Sequence, residues 1–383
     1  MHRPPDRRAV LLTLLGVAAA ALRPVRGLAQ AQATDLPSLA GAVRESLLAE
    51  GEAALARGDT DAALRLFERA ASMRHAADSE LALVRTYMQL GQYRRAVAFA
   101  AHTAGAHRNE PGAIAFYAWL LYLGGQVPAA ERVLADAATA TAADAVASFV
   151  RTTLRAESAA AAPPAAQLAV RLAPYGPIAN LRPGARVACS GTLAAGGRIA
   201  VVPLAPVRGA TSVWVRNGLG QASAGRVERR YAGLGVATVG LARPLPGWGS
   251  VAVAARDPFP GSIGYAASYA AVGNAPGWPL LRGGFVGRAE RDAGIRALGV
   301  ELPAIGTRGG PVFGADGALA GIAVGGPDGI DRLLLPSRLA SIGVELGPQL
   351  PAADGDAAPV PRPSTDEIYE TAMRVAVQVL AAG

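Results

Sequence analysis

The residues able to move protons or attack a carbonyl are unevenly spread along this chain of 383 residues. Its histidines are His2, His75, His102 and His107, so none follows residue 107. All 37 basic residues are arginine, because the chain has no lysine; Ser–Lys dyads and Schiff-base chemistry are thereby excluded. The one cysteine, Cys189, precedes Ser190-Gly191 in a strand-like stretch and reads as a buried small hydrophobe. One octapeptide stands out: Gly306-Thr307-Arg308-Gly309-Gly310-Pro311-Val312-Phe313. Its glycines and proline stand ahead of a strand pattern. Arg308 stays protonated and cannot itself attack.

The octapeptide resembles the G-N-S-G-G-P-L-F segment of trypsin-like serine proteases of the bacterial HtrA type, with Arg308 in the nucleophile's place. Weaker matches precede it in the family's order. Ser190-Gly191-Thr192-Leu193 runs into the glycine hairpin Gly196-Gly197, and Ala200–Val207 matches the strand that carries the general base, with Leu204 there. Ala232–Val239 matches the stretch holding the orienting aspartate, with Gly233 in that place. Pro258-Phe259-Pro260-Gly261, Gly317…Ala320-Gly321-Ile322 and Leu335-Pro336-Ser337 complete the series. The resemblance implies a trypsin-like double β-barrel over 168–348 in which Leu204, Gly233 and Arg308 replace the triad, hence a pseudoprotease. The turn from Gly306 through Arg308 to Gly309 could still bind: Arg308 either holds a ligand carboxylate or forms an ion pair that plugs the cleft. The rival reading is a divergent hydrolase using Ser190, Ser262, Ser268 or Ser337, helped by Asp257, Asp292 or Asp328.

The strands this requires are legible as short apolar runs between Gly and Pro: Arg186–Ser190, Arg198–Val202, Ser212–Arg216, Gly235–Leu241, Ser250–Ala255, Ala318–Val324 and Asp331–Pro336. The region before them follows a different grammar. Over 43–158 a motif recurs near 34 residues, with Gly58, Gly91 and Gly125 marking the ends of successive first helices. Small residues (Gly51, Ala63, Ala96, Ala130) recur where paired helices approach. Leu55, Leu66, Phe67, Tyr87, Leu90, Trp119 and Leu120 would stack one repeat on the next. The pattern is similar to the tetratricopeptide (TPR) family, which implies about three helix hairpins forming an α-solenoid and a groove for a partner's peptide, with Tyr87, Tyr93 and Tyr117 as candidate contacts. His75, His102 and His107 have no metal-like spacing to acidic residues and read as solvated or capping; no cofactor or metal motif is visible.

Residues 1–33 read as a signal peptide: Arg3, Arg7 and Arg8, an apolar stretch Ala9–Leu22, then small-x-small sites. Arg7-Arg8 resembles a twin-arginine signal, although Asp6 departs from it. The Ala/Pro stretch 159–167 reads as a linker and 349–363 as a flexible bridge. Over 364–381 an amphipathic C-terminal helix is expected, N-capped by Ser364, its Ile368, Ala372, Val375, Val379 face docked on the chain itself or on a partner. With 51% hydrophobic and 17% charged residues the chain has material for buried cores. The formal charge of +8 is scattered rather than striped with aromatics, so no nucleic-acid partner is expected. The expectation is thus a periplasmic protein with no membrane span after signal removal, binding a protein or peptide through its groove. The alternatives are the divergent hydrolase, or a regulator of an active protease paralogue.

Overall fold

The computed structural model describes residues 36–155, 178, 180–246, 251–270, 277–290, 292, 294–302, 306–326, 328–350 and 362–382. The expected signal peptide, the Ala/Pro linker and most of the expected bridge lie outside them. The chain divides after Val43. The first unit contributes to the described residues only the opening of helix α1, and all that follows concerns the second unit, Arg44–Gly383.

Among the described residues seven helices come first: Leu36–Ala56 (α1), Thr60–Met73 (α2), Ala77–Gln89 (α3), Tyr93–Ala106 (α4), Pro111–Leu123 (α5), Val127–Asp136 (α6) and Ala145–Arg155 (α7). They pair as the three expected hairpins, and α7 closes the stack against α5 and α6. Gly58, Gly91 and Gly125 sit at the three hairpin turns with φ of +80°, +71° and +84°, a left-handed backbone that glycine adopts without strain. Asp59 caps α2 by accepting a hydrogen bond from the Ala62 amide at 3.1 Å. Helix α5 is apolar on every side and is almost wholly buried, because α4, α6, α7 and a barrel strand enclose it. The stacking residues Leu55, Phe67, Tyr87, Trp119 and Leu120 are all buried.

Twelve strands follow among the described residues: Ala185–Ala194 (β1), Ile199–Pro203 (β2), Ser212–Asn217 (β3), Ala222–Tyr231 (β4), Val236–Leu241 (β5), Ile263–Ser268 (β6), Leu280–Ala289 (β7), Ile295–Gly299 (β8), Pro311–Gly314 (β9), Leu319–Gly325 (β10), Asp331–Leu334 (β11) and Ala376–Ala382 (β12). Short helices Leu204–Val207 (α8) and Pro336–Ala340 (α9) interrupt them, and Thr365–Val375 (α10) precedes β12. The strands close into two six-stranded antiparallel barrels, β1-β12-β3-β4-β5-β2 and β10-β11-β8-β7-β6-β9. This is the trypsin-like double-barrel architecture that the resemblance implied. Closure leaves neither sheet an open edge. The 250–255 run does not become a strand among the described residues; Val253 makes only isolated bridges, to Leu319 and Gln349. Strand β4 was illegible because its outer face carries Arg226, Glu228 and Arg230, exposed to water.

The C-terminal helix is present and its cap is a capping box: the Ser364 hydroxyl accepts from the Glu367 amide, and the Glu367 carboxylate accepts from the Ser364 amide. Its expected extent to 381 needs correction. The helix ends at Val375, and Ala376–Ala382 crosses the first barrel between β1 and β3. Val377 lies opposite Gly191 on one side and Asn217 on the other. The run Ala376-Val377-Gln378-Val379-Leu380 fits a helical stripe and a strand buried on both faces equally well. The β-branched valines favour the strand, and two waiting sheet edges decide it. Helix α10 also joins the repeats to the barrels. Arg94 of α4 reaches Glu367 at 2.7 Å and Glu370 at 3.2 Å, and the Tyr93 ring packs on Tyr369 with centroids 4.4 Å apart. The buried Tyr369 hydroxyl donates to Pro279 O at 2.8 Å. Docking on the chain itself is therefore what buries this helix.

Candidate functional site

Three segments converge where the barrels meet. The first is the end of β2, where Pro203 leads into Leu204 at the start of α8. The second is the tight turn Ala232–Leu234 before β5. The third is the octapeptide, entering β9. The Leu204 amide donates to Gly235 O at 2.8 Å, which holds the first two together. Gly309, with φ of +108°, is pressed against the first barrel: a Cβ there would collide with Ser190 O and with the Pro203 ring. The stretch at Ala200–Val207 and the octapeptide thus meet at Pro203 and Gly309.

Among the described residues, no histidine lies at this site. Leu204 is buried at 7% exposure and apolar. Gly233 lies exposed with open space beside its Cα, so nothing there orients a base. The Arg308 guanidinium is held by groups of its own barrel and turn. Its Nε and Nη2 each donate to an Asp331 carboxylate oxygen at 2.8 Å, and Nη1 donates to Gly306 O at 2.9 Å. The carboxylate of β11 thereby plugs the arginine's fork in two-point geometry.

The hydroxyls of Ser190, Thr192 and Thr307 are equally committed. Ser190 Oγ accepts from the Tyr269 amide at 2.8 Å and lies 2.6 Å from Thr307 Oγ1, which in turn donates to Tyr269 O at 2.9 Å. Thr192 Oγ1 donates to Gly309 O at 3.0 Å. Of the turn amides, those of Thr307 and Gly309 donate to Tyr269 O and Ala323 O at 2.8 and 2.6 Å. Ser190 and Ser268 are buried. Ser337 is exposed and donates to Asp257 at 2.7 Å. Asp292 is engaged by Arg338 and Asp328 by Arg332, at 3.0 and 2.9 Å. Burial pushes the Cys189 thiol well above its ordinary pKa, which agrees with its reading as an inert small hydrophobe.

The repeat groove is a separate feature. Leu48 and Glu52 of α1, Asp78, Leu81 and Arg85 of α3, and Phe116 of α5 line a cavity of about 230 Å³. Ion pairs Arg44–Asp78 and Arg85–Glu52 tie α1 to α3 beside its apolar floor. The tyrosines expected here lie elsewhere. Tyr87 is buried between Phe99 and the Arg95 guanidinium, and Tyr93 is fully buried with its hydroxyl donating to Leu120 O. Tyr117 is half-buried on α5 and does not line the groove. The groove is lined instead by aliphatic and charged side chains together with the Phe116 ring. Their signal was the three- and four-residue spacing of Leu48 and Glu52 and of Asp78, Leu81 and Arg85 on the first helices, which was not singled out at sequence level.

The molecule is therefore a helical-repeat array joined to a trypsin-like double barrel. Residues 54–113 match the family model described as tetratricopeptide repeat. Among solved structures, the MamO protease domain from Magnetospirillum magneticum (apo form) is 21% identical, with 42% of this chain and 91% of that one covered and a TM-score of 0.31. The Rv3671c protease in its inactive form is 15% identical, covering 44% of this chain and 99% of that one, at a TM-score of 0.32. The active form, from M. tuberculosis, is 14% identical over 44% and 85%, at 0.31. No curated protein sequence matches the chain.

Proposed function

We propose that this chain is an exported protein-binding scaffold. Its repeat groove holds an extended segment of a partner protein, and its double barrel is a non-hydrolytic docking module. The observation that carries the reading is the commitment of Arg308 to Asp331 and Gly306 in the nucleophile's place, with Leu204 where a base would stand. Acyl transfer needs a nucleophile, a base and a group that orients the base. The site offers an arginine, a leucine and a glycine. The groove supplies the binding half: an apolar floor for partner side chains, with Leu81 partly exposed among its lining residues. Export rests on the arginine-led apolar segment within 1–33.

The hydrolase alternative has one observation in its favour, the exposed Ser337–Asp257 contact at 2.7 Å. A carboxylate alone is a weak base for a serine, and Ser337 lies on α9 rather than in the octapeptide turn. One experiment separates the readings. The mature chain is used to capture partners from periplasmic extract, beside Leu81→Glu and Arg308→Ser, and captured proteins are mapped on peptide arrays. The scaffold reading expects a partner segment lost in Leu81→Glu and kept in Arg308→Ser. Fluorophosphonate labelling of Ser337 in the wild-type chain would return the protein to the enzymes. Capture of an active protease paralogue would assign it a regulatory role.

A further inference from the structure

The described chain has three histidines, and all three meet at one place. His75 lies in the loop after α2, His102 on the last turns of α4, and His107 caps the C-terminus of α4. The His75 and His107 rings are 4.8 Å apart and those of His75 and His102 6.3 Å apart. Between them stands Glu80, in the first turn of α3, only 3% exposed. Glu80 Oε1 is 2.6 Å from His75 Nε2, and Oε2 is 3.4 Å from His107 Nε2. The ligand-capable atoms of His75, Glu80 and His107 all lie within 4.8 Å of one another. Sequence spacing hid this group, because its members come from three segments that only the repeat stack brings together.

A carboxylate this deeply buried needs strong compensation. Here it is incomplete: Glu80 Oε2 and His107 Nε2 are both shut off from solvent, and neither makes a hydrogen bond. Two imidazoles and one carboxylate are a borderline-soft donor set, suited to zinc and poorly suited to calcium or magnesium. Bonds of about 2.0–2.2 Å at tetrahedral angles place donor atoms roughly 3.3 Å apart. The two measured contacts, 2.6 and 3.4 Å, bracket that spacing. His75, with a side chain 64% exposed, is free to adjust. His102, stacked on Phe99 with centroids 5.9 Å apart, is held as a wall of the site.

We infer that His75, Glu80 and His107 form a zinc-class metal site that clamps the exit loops of the first two helical repeats. Helix α4 separates it from the barrel-facing turn at Gly91 by about 20 Å, at 1.5 Å rise per residue. The site therefore reports on the repeats alone. Because α3 carries both Glu80 and the groove residues Asp78, Leu81 and Arg85, an ion at Glu80 also fixes one wall of the groove.

The test is titration of the chelator-treated full chain with Co²⁺, read by visible d–d absorption, and with Zn²⁺, read by calorimetry and thermal melting. The expected result is one equivalent of either ion, tetrahedral Co²⁺ bands and a melting temperature raised by Zn²⁺. His75→Ala removes an exposed side chain, so its fold should persist by circular dichroism. It and His107→Ala should each weaken binding more than about tenfold, since loss of a ligand exceeds loss of an outer-shell partner. Glu80→Gln, which keeps the shape and removes the charge, should weaken it similarly. His102→Ala should leave affinity within about threefold. Absence of d–d bands, or Zn²⁺ binding unchanged in the folded His75→Ala chain, would overturn the assignment.

Discussion

Arg308 and Asp331 form a two-point ion pair: Nε and Nη2 of the arginine each lie 2.8 Å from a different carboxylate oxygen. The arginine comes from the octapeptide and the aspartate from β11, so the pair ties the entrance of β9 to β11 of the same barrel. The Arg308 side chain is 34% exposed and that of Asp331 16%, which moderates its energetic value.

Restoring a serine should therefore not restore hydrolysis. Arg308→Ser is expected to show no turnover of fluorogenic peptides, because Leu204 can accept no proton. The same substitution strips Asp331 of both bonds and should lower stability by about 1 kcal/mol, read by chemical denaturation.

The C-terminal strand should be indispensable. A chain ending at Val375 leaves β1 and β3 with unpaired edges on either side of a missing neighbour. It should be aggregation-prone and lose barrel dispersion in its amide NMR spectrum. A soluble, fully folded truncation would refute the register described for β12.

Gly125→Ala tests how the repeats seat on the barrels. The residue sits at φ of +84°, and an added Cβ would lie 2.9 Å from Leu281 O of β7. Strain at the left-handed backbone costs about 1 kcal/mol and the close approach adds to it. The expected readout is a lower melting temperature with faster proteolysis at the repeat–barrel junction.

Asp366 lies in the first turn of α10. Burial is the main influence holding its carboxyl above the ordinary pKa, opposed by the Gln126 hydrogen bond and reinforced by Glu370. A folded-state pKa above the unfolded one favours the native state below the unfolded pKa, and that gain is lost as pH rises through the folded value. Asp366→Asn should therefore stabilise the protein at neutral pH. The difference should shrink as pH falls toward the ordinary carboxyl range, measured by thermal melts across pH.

Cys189, 1% exposed on β1, should resist thiol reagents in the native protein and react fully in denaturant. Rapid native labelling would mean that the first barrel opens locally.

Much of this molecule was legible from local patterns. Turn glycines at 58, 91 and 125 announced the hairpins, because a helix end leaves few other backbone choices. Ser364 announced the start of α10 as its N-cap. The octapeptide and the absence of His and Lys beyond residue 107 pointed to a barrel without the usual chemistry. What stayed hidden depends on distance in the chain. Residues 376–382 satisfy two periodicities, and only the open edges of β1 and β3 select the strand. Tyr87 and Tyr93 carry no mark distinguishing a groove from a core; neighbours such as Phe99 and Tyr369 bury them. Glu80 meets His75 and His107 only because the repeats stack, bringing loops from different hairpins within reach. Local sequence determines which conformations each segment can adopt, since capping and turn chemistry act over a few residues. Tertiary structure decided which of those conformations is used and which side chains meet, since sheet edges and buried contacts are supplied by distant parts of the chain.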